Sequence, residues 1–431
     1  MAQIVPFRGY RYDQKVVGDI SAVVTQPYDR IGEKEQEVYY SRSPYNIVRI
    51  IKGKPQLGDD GENVYTRAAR FLAEWIDNGV LRRDPEPSFY AYHQEYGFEG
   101  ERFVRKGVIA LGKLEPEKVH AHERTLKGPK EDRLKLLRAT EANFGHIFML
   151  YSDPARRADG AVAAAIDRVP PTIEATDDFG NAHRVWKITD QEVILSVQNA
   201  LVDKDLYIAD GHHRYETAVN FMRECQKKGW RPAGLESFDH RMMTLFNIDE
   251  PGMTIRPIHR LVHGIPGFDP DGFIEKARED FEVVEHPNRA AMEEAVGSGK
   301  TKHTFGVYTE GKFCTFTLRE ETLMDRLIEG RSADWKRLDV AILHAAILER
   351  LLGIDARALD EQRNITYTRD PDGAIGAVDS GKEQIFFLLK ETSPQEVIRV
   401  ADHGEKMPQK STDFYPKLLT GLVITKLEIE K

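Results

Sequence analysis

The chain has 431 residues, 41% hydrophobic and 30% charged, with 33 Gly and 21 Pro. That length calls for two or three domains with a substantial core, and the composition excludes collagen-like, mucin-like and wholly disordered chains. A formal charge of −9, from 61 Lys and Arg against 70 Asp and Glu, gives no drive toward a polyanion, so nucleic acid is not expected as a partner.

No apolar run approaches the roughly 20 residues that cross a bilayer, so no membrane association is expected. The opening MAQIVPFRGYRYDQ has none of the parts of a secretory signal. Cys225 and Cys314 match no metal-ligand or redox spacing. The expectation is a soluble protein of a reducing, cytoplasmic compartment.

In chain order, Arg8 to Asp29 reads as short extended pieces broken by Gly9, Gly18 and Pro27, an arm laid over another part of the fold. Ala68, Ala69, Leu72 and Ile76 recur at helical spacing and stop at Asn78-Gly79. Phe89–Tyr96 and Phe103–Leu111, rich in aromatic and branched residues, read as a hairpin. A helix over 131–143, a strand at Ile147–Tyr151, a helix near 163–169, a strand at Val185–Ile188 and a helix over 190–201 follow. The strand Leu206–Ala209 then runs into Asp210-Gly211-His212-His213-Arg214 and a helix from Tyr215 to Lys228.

Met242–Phe246 is one more strand, and the change of character at 251–259 marks a boundary. Beyond it, Thr304–Tyr308 and Phe313–Leu318 form a hairpin around Glu310-Gly311. Leu338, Ile342, Ala345, Leu348 and Leu352 make one helical face ending at Gly353, and extended pieces flank Asp370–Gly373. The expected division is 1–100, 101–250 and 251–431, in an α+β (mixed α/β) architecture.

The segment LYIADGHHRYETA joins an apolar strand, a glycine turn, a cation and an amphipathic helix. Such a turn can aim helix-start N–H groups and Arg214 at phosphate oxygens, while Gly211 permits a bend or close approach that a Cβ would block. Asp210 can cap the helix or accept a hydrogen bond, and His212 and His213 can donate to phosphate. The plainer reading is a well-capped turn with Arg214 paired to a local acid. Two adjacent histidines without HExxH or a third ligand do not make a metal site.

The ordered set VPFRGYRY with VGD and QPYD, HERTLKGPKEDR, IADGHHRYETA, RPIHRLV and MPQKSTDFYPKLLTGLV resembles the bacterial domain of unknown function numbered 1015, from Val5 to about Val423. That family is similar to the free-serine kinases of the ParB/sulfiredoxin-like superfamily. The resemblance implies a ParB/sulfiredoxin-like central domain, with additional mixed α/β elements and an N-terminal extended arm. It also implies nucleotide phosphates at Gly211, His212, His213 and Arg214. The kinases' catalytic acid, in a Pro-His-Glu setting, falls on Glu123 of Ala121-His122-Glu123, where Ala121 replaces the proline.

The expected activity is nucleotide-dependent phosphoryl transfer to a small hydroxyl metabolite, free serine or a related compound. Glu123 and His213 would be catalytic and Asp210 a magnesium ligand. Arg8, Asp29, His122, Lys410 and Ser411 would serve the substrate, and a nucleoside triphosphate or diphosphate would be the cofactor. Neither GxxxxGK[ST] nor HRD with DFG is present. A nonenzymatic nucleotide-responsive module and a structural scaffold stand as alternatives, and homo-oligomerisation through an uncovered edge strand is left open.

Around these, Arg124, Thr125, Lys127, Lys130 and Arg133 either line the same pocket or stay solvated. Arg256, His259 and Arg260 make either a second anionic contact or an ion-pair cluster. Cys225, on the helix after the turn, is not expected to act as a catalytic thiol.

Overall fold

The structure, a computed structural model, describes residues 3–56, 58–59, 62–123, 127–297 and 303–431. It is mixed α/β and divides into two compact units rather than three stretches in series: 1–253 with 416–431, and 254–415. An antiparallel hairpin runs across residue 100, so no boundary falls there. The last sixteen residues return to the first unit because Leu418, Leu419, Leu422, Val423 and Ile424 are all buried.

In the first unit, nine strands among the described residues form one sheet. They are β1 (Ile4–Val5), β2 (Phe89–Phe98), β3 (Glu101–Lys113), β4 (Val119–Ala121), β5 (Ile147–Tyr151), β6 (Ile173–Thr176), β7 (Ala182–Ile188), β8 (Leu206–Asp210) and β9 (His240–Asn247). Their order is β4-β8-β5-β9-β3-β2-β7-β6, with β1 also on β3. β5 and β9 are buried along their whole length, as expected for central strands that read as unbroken apolar runs. The β2–β3 hairpin closes through Glu99 and Gly100, both at positive φ (50° and 81°), the mirror-image turn that matches strand twist.

Five helices matter for the site's surroundings: α1 (Val64–Asp77), α2 (Lys127–Thr140), α3 (Arg157–Ile166), α4 (Gln191–Leu201) and α5 (His212–Lys227). Ala158 and Val162 of α3, Ile194 and Val197 of α4, and Tyr215 and Ala218 of α5 pack on β5, β8 and β9 in one core cluster. Leu137 of α2 meets Phe221 and Cys225 of α5 in a smaller cluster with Leu427. The helix expected near 163–169 starts earlier, at Arg157, with Asp159 in its first turn. The arm at 8–29 is less extended than its sequence reads. Besides the strand Tyr10–Tyr12, it holds short helical turns at Gln14–Val17, Ile20–Ala22 and Tyr28–Arg30, two of them capped by Asp13 and Asp19.

The second unit is built on a six-stranded sheet. Its strands are ordered Phe281–His286, Lys312–Leu318, Thr304–Thr309, Ile385–Leu388, His259–Val262 and Ile365–Thr368. The hairpin at Glu310-Gly311 forms with both residues at positive φ. The residues after Asp370 are helical, over Pro371–Asp379, not extended. The Asp370 carboxylate accepts from the N–H groups of Asp372 and Gly373, and Pro371 opens the first turn. The helix expected over 338–352 starts at Asp339 and widens into a π-helical stretch, Leu343–Glu349. There Leu352 N–H reaches back to the Ile347 carbonyl, and the segment is buried nearly all round instead of on one face.

No helix among the described residues is long and apolar enough to cross a membrane.

Candidate active site

Two strands bring together residues far apart in sequence. β4 runs parallel to β8, with Val119 opposite Leu206 and Ala121 opposite Ile208. Continuing that register, His122 and Glu123 leave the sheet beside Ala209 and Asp210, at the carboxyl ends of adjacent parallel strands, where α/β folds commonly bind ligands.

Gly211 then turns the chain at φ 95° into α5, whose first intrahelical bond runs from Tyr215 N–H to the Gly211 carbonyl. The N–H groups of His212, His213 and Arg214 precede that bond and have no carbonyl within the helix to reach. A Cβ on Gly211 would stand 3.0 Å from both Nε and Nη2 of Arg214. The glycine is therefore required twice, by its backbone conformation and by the guanidinium folded against it.

His212 is buried, and its Nδ1 donates to Oε2 of Glu123 at 3.3 Å. Its ring meets the edge of the His122 ring, centroids 4.6 Å apart at 88°. Partial burial pushes the Glu123 carboxyl up, but the hydrogen bond and charge of His212, with His122, outweigh it and hold the group at about 2. Glu123 is thus a carboxylate at any physiological pH, with 42% of its side chain exposed.

His213 is pushed below its usual range by burial, against the upward pull of Glu123, Asp29 and Glu216. The structure therefore gathers Asp29, Glu123 and His213 into one electrostatic neighbourhood.

Asp210 has both carboxylate oxygens engaged. Oδ2 lies 3.1 Å from Lys417 Nζ and Oδ1 lies 3.7 Å from Arg214 Nη2. Burial pushes its pKa up, yet Lys417 and Arg214 together hold the carboxyl far below the ordinary range. Lys417 is placed in turn by Gln94, whose Nε2 donates to its carbonyl at 2.9 Å. Gln94 itself accepts from the fully buried Arg105, which also donates to the Pro416 carbonyl. Among the described residues no three His, Cys, Asp or Glu side chains stand close enough to share a metal ion. With both oxygens of Asp210 facing cations, the residues present do not fit a protein-held magnesium.

Arg214 Nη1 donates to the His146 carbonyl. On that side of the turn a cavity of about 50 Å³ opens, bordered by Pro27 and Tyr28 of the arm and by Arg133 of α2. Arg133 lies over the Tyr28 ring, 4.0 Å from its centroid. Lys130 instead pairs with Glu216 at 2.9 Å. Arg124 and Thr125, and the side chain of Lys127, lie outside the described residues.

Other candidates have partners of their own. Arg8 joins an ion cluster, donating from its backbone and side chain to Glu236 and reaching Glu428 at 3.4 Å. Lys410 and Ser411 belong to the second unit. There the Lys410 carbonyl accepts from Arg260 and Ser411 Oγ donates to the Pro408 carbonyl. Arg256 pairs with Asp413 at 3.0 Å, so this part of the chain makes an ion-pair cluster. Burial pushes the Cys225 thiol up to about 11, which keeps it protonated and a poor nucleophile.

Sequence reasoning did not assign Lys417 or Arg241 to the site, and it took in Tyr28 only as part of the arm that the family resemblance sets over the central cleft. Lys417 sits in the closing KLLTGLV run, and Arg241 is the one Lys or Arg of strand β9.

The family model described as "Protein of unknown function (DUF1015)" matches residues 4–341. Among solved structures, the chain is similar to a conserved hypothetical protein from Pyrococcus furiosus at 15% identity and a TM-score of 0.33, covering 73% of this chain and 94% of that one. It is similar to a free serine kinase in complex with AMP at 15% identity and a TM-score of 0.34, covering 73% and 91%. A mutant free serine kinase in complex with ADP gives 14% identity and a TM-score of 0.34, covering 73% and 92%. No curated protein matches.

Proposed function

This chain belongs to the DUF1015 family, and we propose that it is a cytoplasmic, nucleotide-dependent phosphotransferase acting on a small hydroxyl metabolite, free serine or a related compound. Its first unit would then contain a ParB/sulfiredoxin-like core. The observation that carries this reading is the pairing of Glu123 with His212, which sets an ionised carboxylate at the mouth of a cationic strand-to-helix turn.

In this reading the N–H groups of the first turn of α5, with His213, Arg214 and Lys417, receive the phosphates of a nucleoside triphosphate or diphosphate. The acceptor hydroxyl oxygen attacks the terminal phosphorus, and the bond from that phosphorus to the nucleotide's bridging oxygen breaks. The hydroxyl proton passes through Glu123 to water. A carboxyl at about 2 is a weak base, so its main contribution is to hold the hydroxyl in line. That suffices where the transition state is loose and little proton transfer is needed early. Asp29, whose charge bears on His213, would take a positively charged group of the acceptor.

A nucleotide-responsive module without chemistry is favoured by one feature. Lys417 and Arg214 face both oxygens of Asp210, which leaves that carboxylate no open oxygen for a catalytic metal. A nucleotide panel, with mass detection of phosphorylated metabolites and spent nucleotide, separates the two readings. Phosphorylated product supports the transferase, and saturable binding with no turnover supports the module.

A further inference from the structure

The cavity beside Arg214 has a charge pattern that the phosphate-facing turn does not use. Arg241, on β9, is 7% exposed and lines this cavity. Its Nη2 donates to the Gly145 carbonyl at 3.2 Å, while its Nε has no hydrogen-bond partner. The charge bearing on it is a like one, that of Arg214; with burial, this pushes the guanidinium down to about 9, still cationic at neutral pH. Thr217, 3% exposed and on the same wall, has a buried Oγ without a partner.

A buried guanidinium facing another and leaving a donor unmet is destabilising unless an anion completes it. Ile51, Leu136, Leu137 and Phe144 supply aliphatic and aromatic wall, with Arg133 and Thr420 also on the lining. Among the described residues no Asp or Glu lines the cavity. Cationic forks at one end, a hydroxyl beside them and apolar walls around match an oxyanion head on an apolar body.

We propose that this cavity binds a small organic anion, a carboxylate or a phosphate monoester. Its head lies between Arg241 and Arg214, and its apolar body lies against Leu136, Leu137 and Phe144. Arg214 is shared with the nucleotide reading, while Arg241 and Thr217 have no part in it and mark this site as its own.

The test is calorimetric titration of the full chain with acetate, hexanoate, hexyl phosphate and hexanol, without nucleotide. Saturable binding of hexanoate or hexyl phosphate, at least about tenfold tighter than acetate and absent for hexanol, is expected. The stronger of the two identifies the head group. Arg241→Gln should weaken it by at least about tenfold. Thr217→Val, which keeps shape and fold, should weaken it by about threefold or more. Binding of hexanoate and hexyl phosphate no tighter than hexanol, or unchanged in Thr217→Val, would overturn the proposal. Displacement by AMP at one-to-one stoichiometry would overturn it too, by assigning the cavity to the nucleotide. A failure of nucleotide binding alone would leave it standing.

Discussion

Nζ of Lys417 lies 3.1 Å from Oδ2 of Asp210, so the closing segment of the chain supplies the counter-charge for the strand-to-helix turn. Replacing Lys417 by Met leaves Asp210 with Arg214 at 3.7 Å as its remaining cation. The first unit should lose about 2 kcal/mol at pH 7. The sign follows from a folded pKa held below the unfolded value of about 4. The stabilisation is complete above that value and is lost as pH falls toward the folded pKa. Urea unfolding of both proteins should therefore show a gap at pH 7 that narrows at pH 3, and an equal gap at both would refute the assignment.

Gly211→Ala combines a positive φ with a Cβ placed 3.0 Å from the Arg214 guanidinium. The expected cost is about 1–2 kcal/mol, along with displacement of Arg214. Nucleotide affinity, measured by titration, should fall by at least about tenfold, which simple destabilisation of a still-folded protein would not produce.

Glu123→Gln removes the charge but keeps the shape. Transfer should fall by about a hundredfold or more, with nucleotide affinity within about threefold, since Glu123 holds the acceptor and not the phosphates. Because the carboxyl sits at about 2, kcat should show no rising limb from this group between pH 5 and 8.

Four histidines are held neutral chiefly by burial: His93 and His259 at about 4, His146 and His344 at about 3. Each is depressed from an unfolded value near 6.5. The stability they contribute is complete above about 6.5 and is lost as pH falls toward 3–4, because the unfolded chain binds protons that the folded chain does not. Calorimetry in buffers of different ionisation enthalpy should show unfolding at pH 5 taking up protons, with little uptake by these groups at pH 8. Equal uptake at both would contradict their burial.

The turn itself was legible because a glycine between an apolar strand and an amphipathic run has few other uses. Glu123 was reached through the family pattern alone; the parallel pairing of β4 with β8 that brings it to Asp210 leaves no local trace. Lys417 read as one polar residue among Lys410, Ser411 and Thr412, yet the boundary between the units falls at Tyr415 and Pro416. Arg241 was hidden because strand alternation assigns a charged residue to a solvated face, whereas β9 is buried on both faces. The helix over Pro371–Asp379 did leave a signal. Asp-Pro at a helix start is a cap as readily as a turn, and period alone did not decide it.

The account rests most on the turn from Asp210 to Arg214 receiving nucleotide phosphates. The direct test is calorimetric titration of the full chain with ADP and ATP, beside Arg214→Lys, which keeps the charge but not the fork, and Arg214→Ala. Saturable binding to the wild-type chain that weakens stepwise, about tenfold or more in Arg214→Ala, is the predicted result. Undetectable binding, or equal affinity in all three proteins, would contradict it.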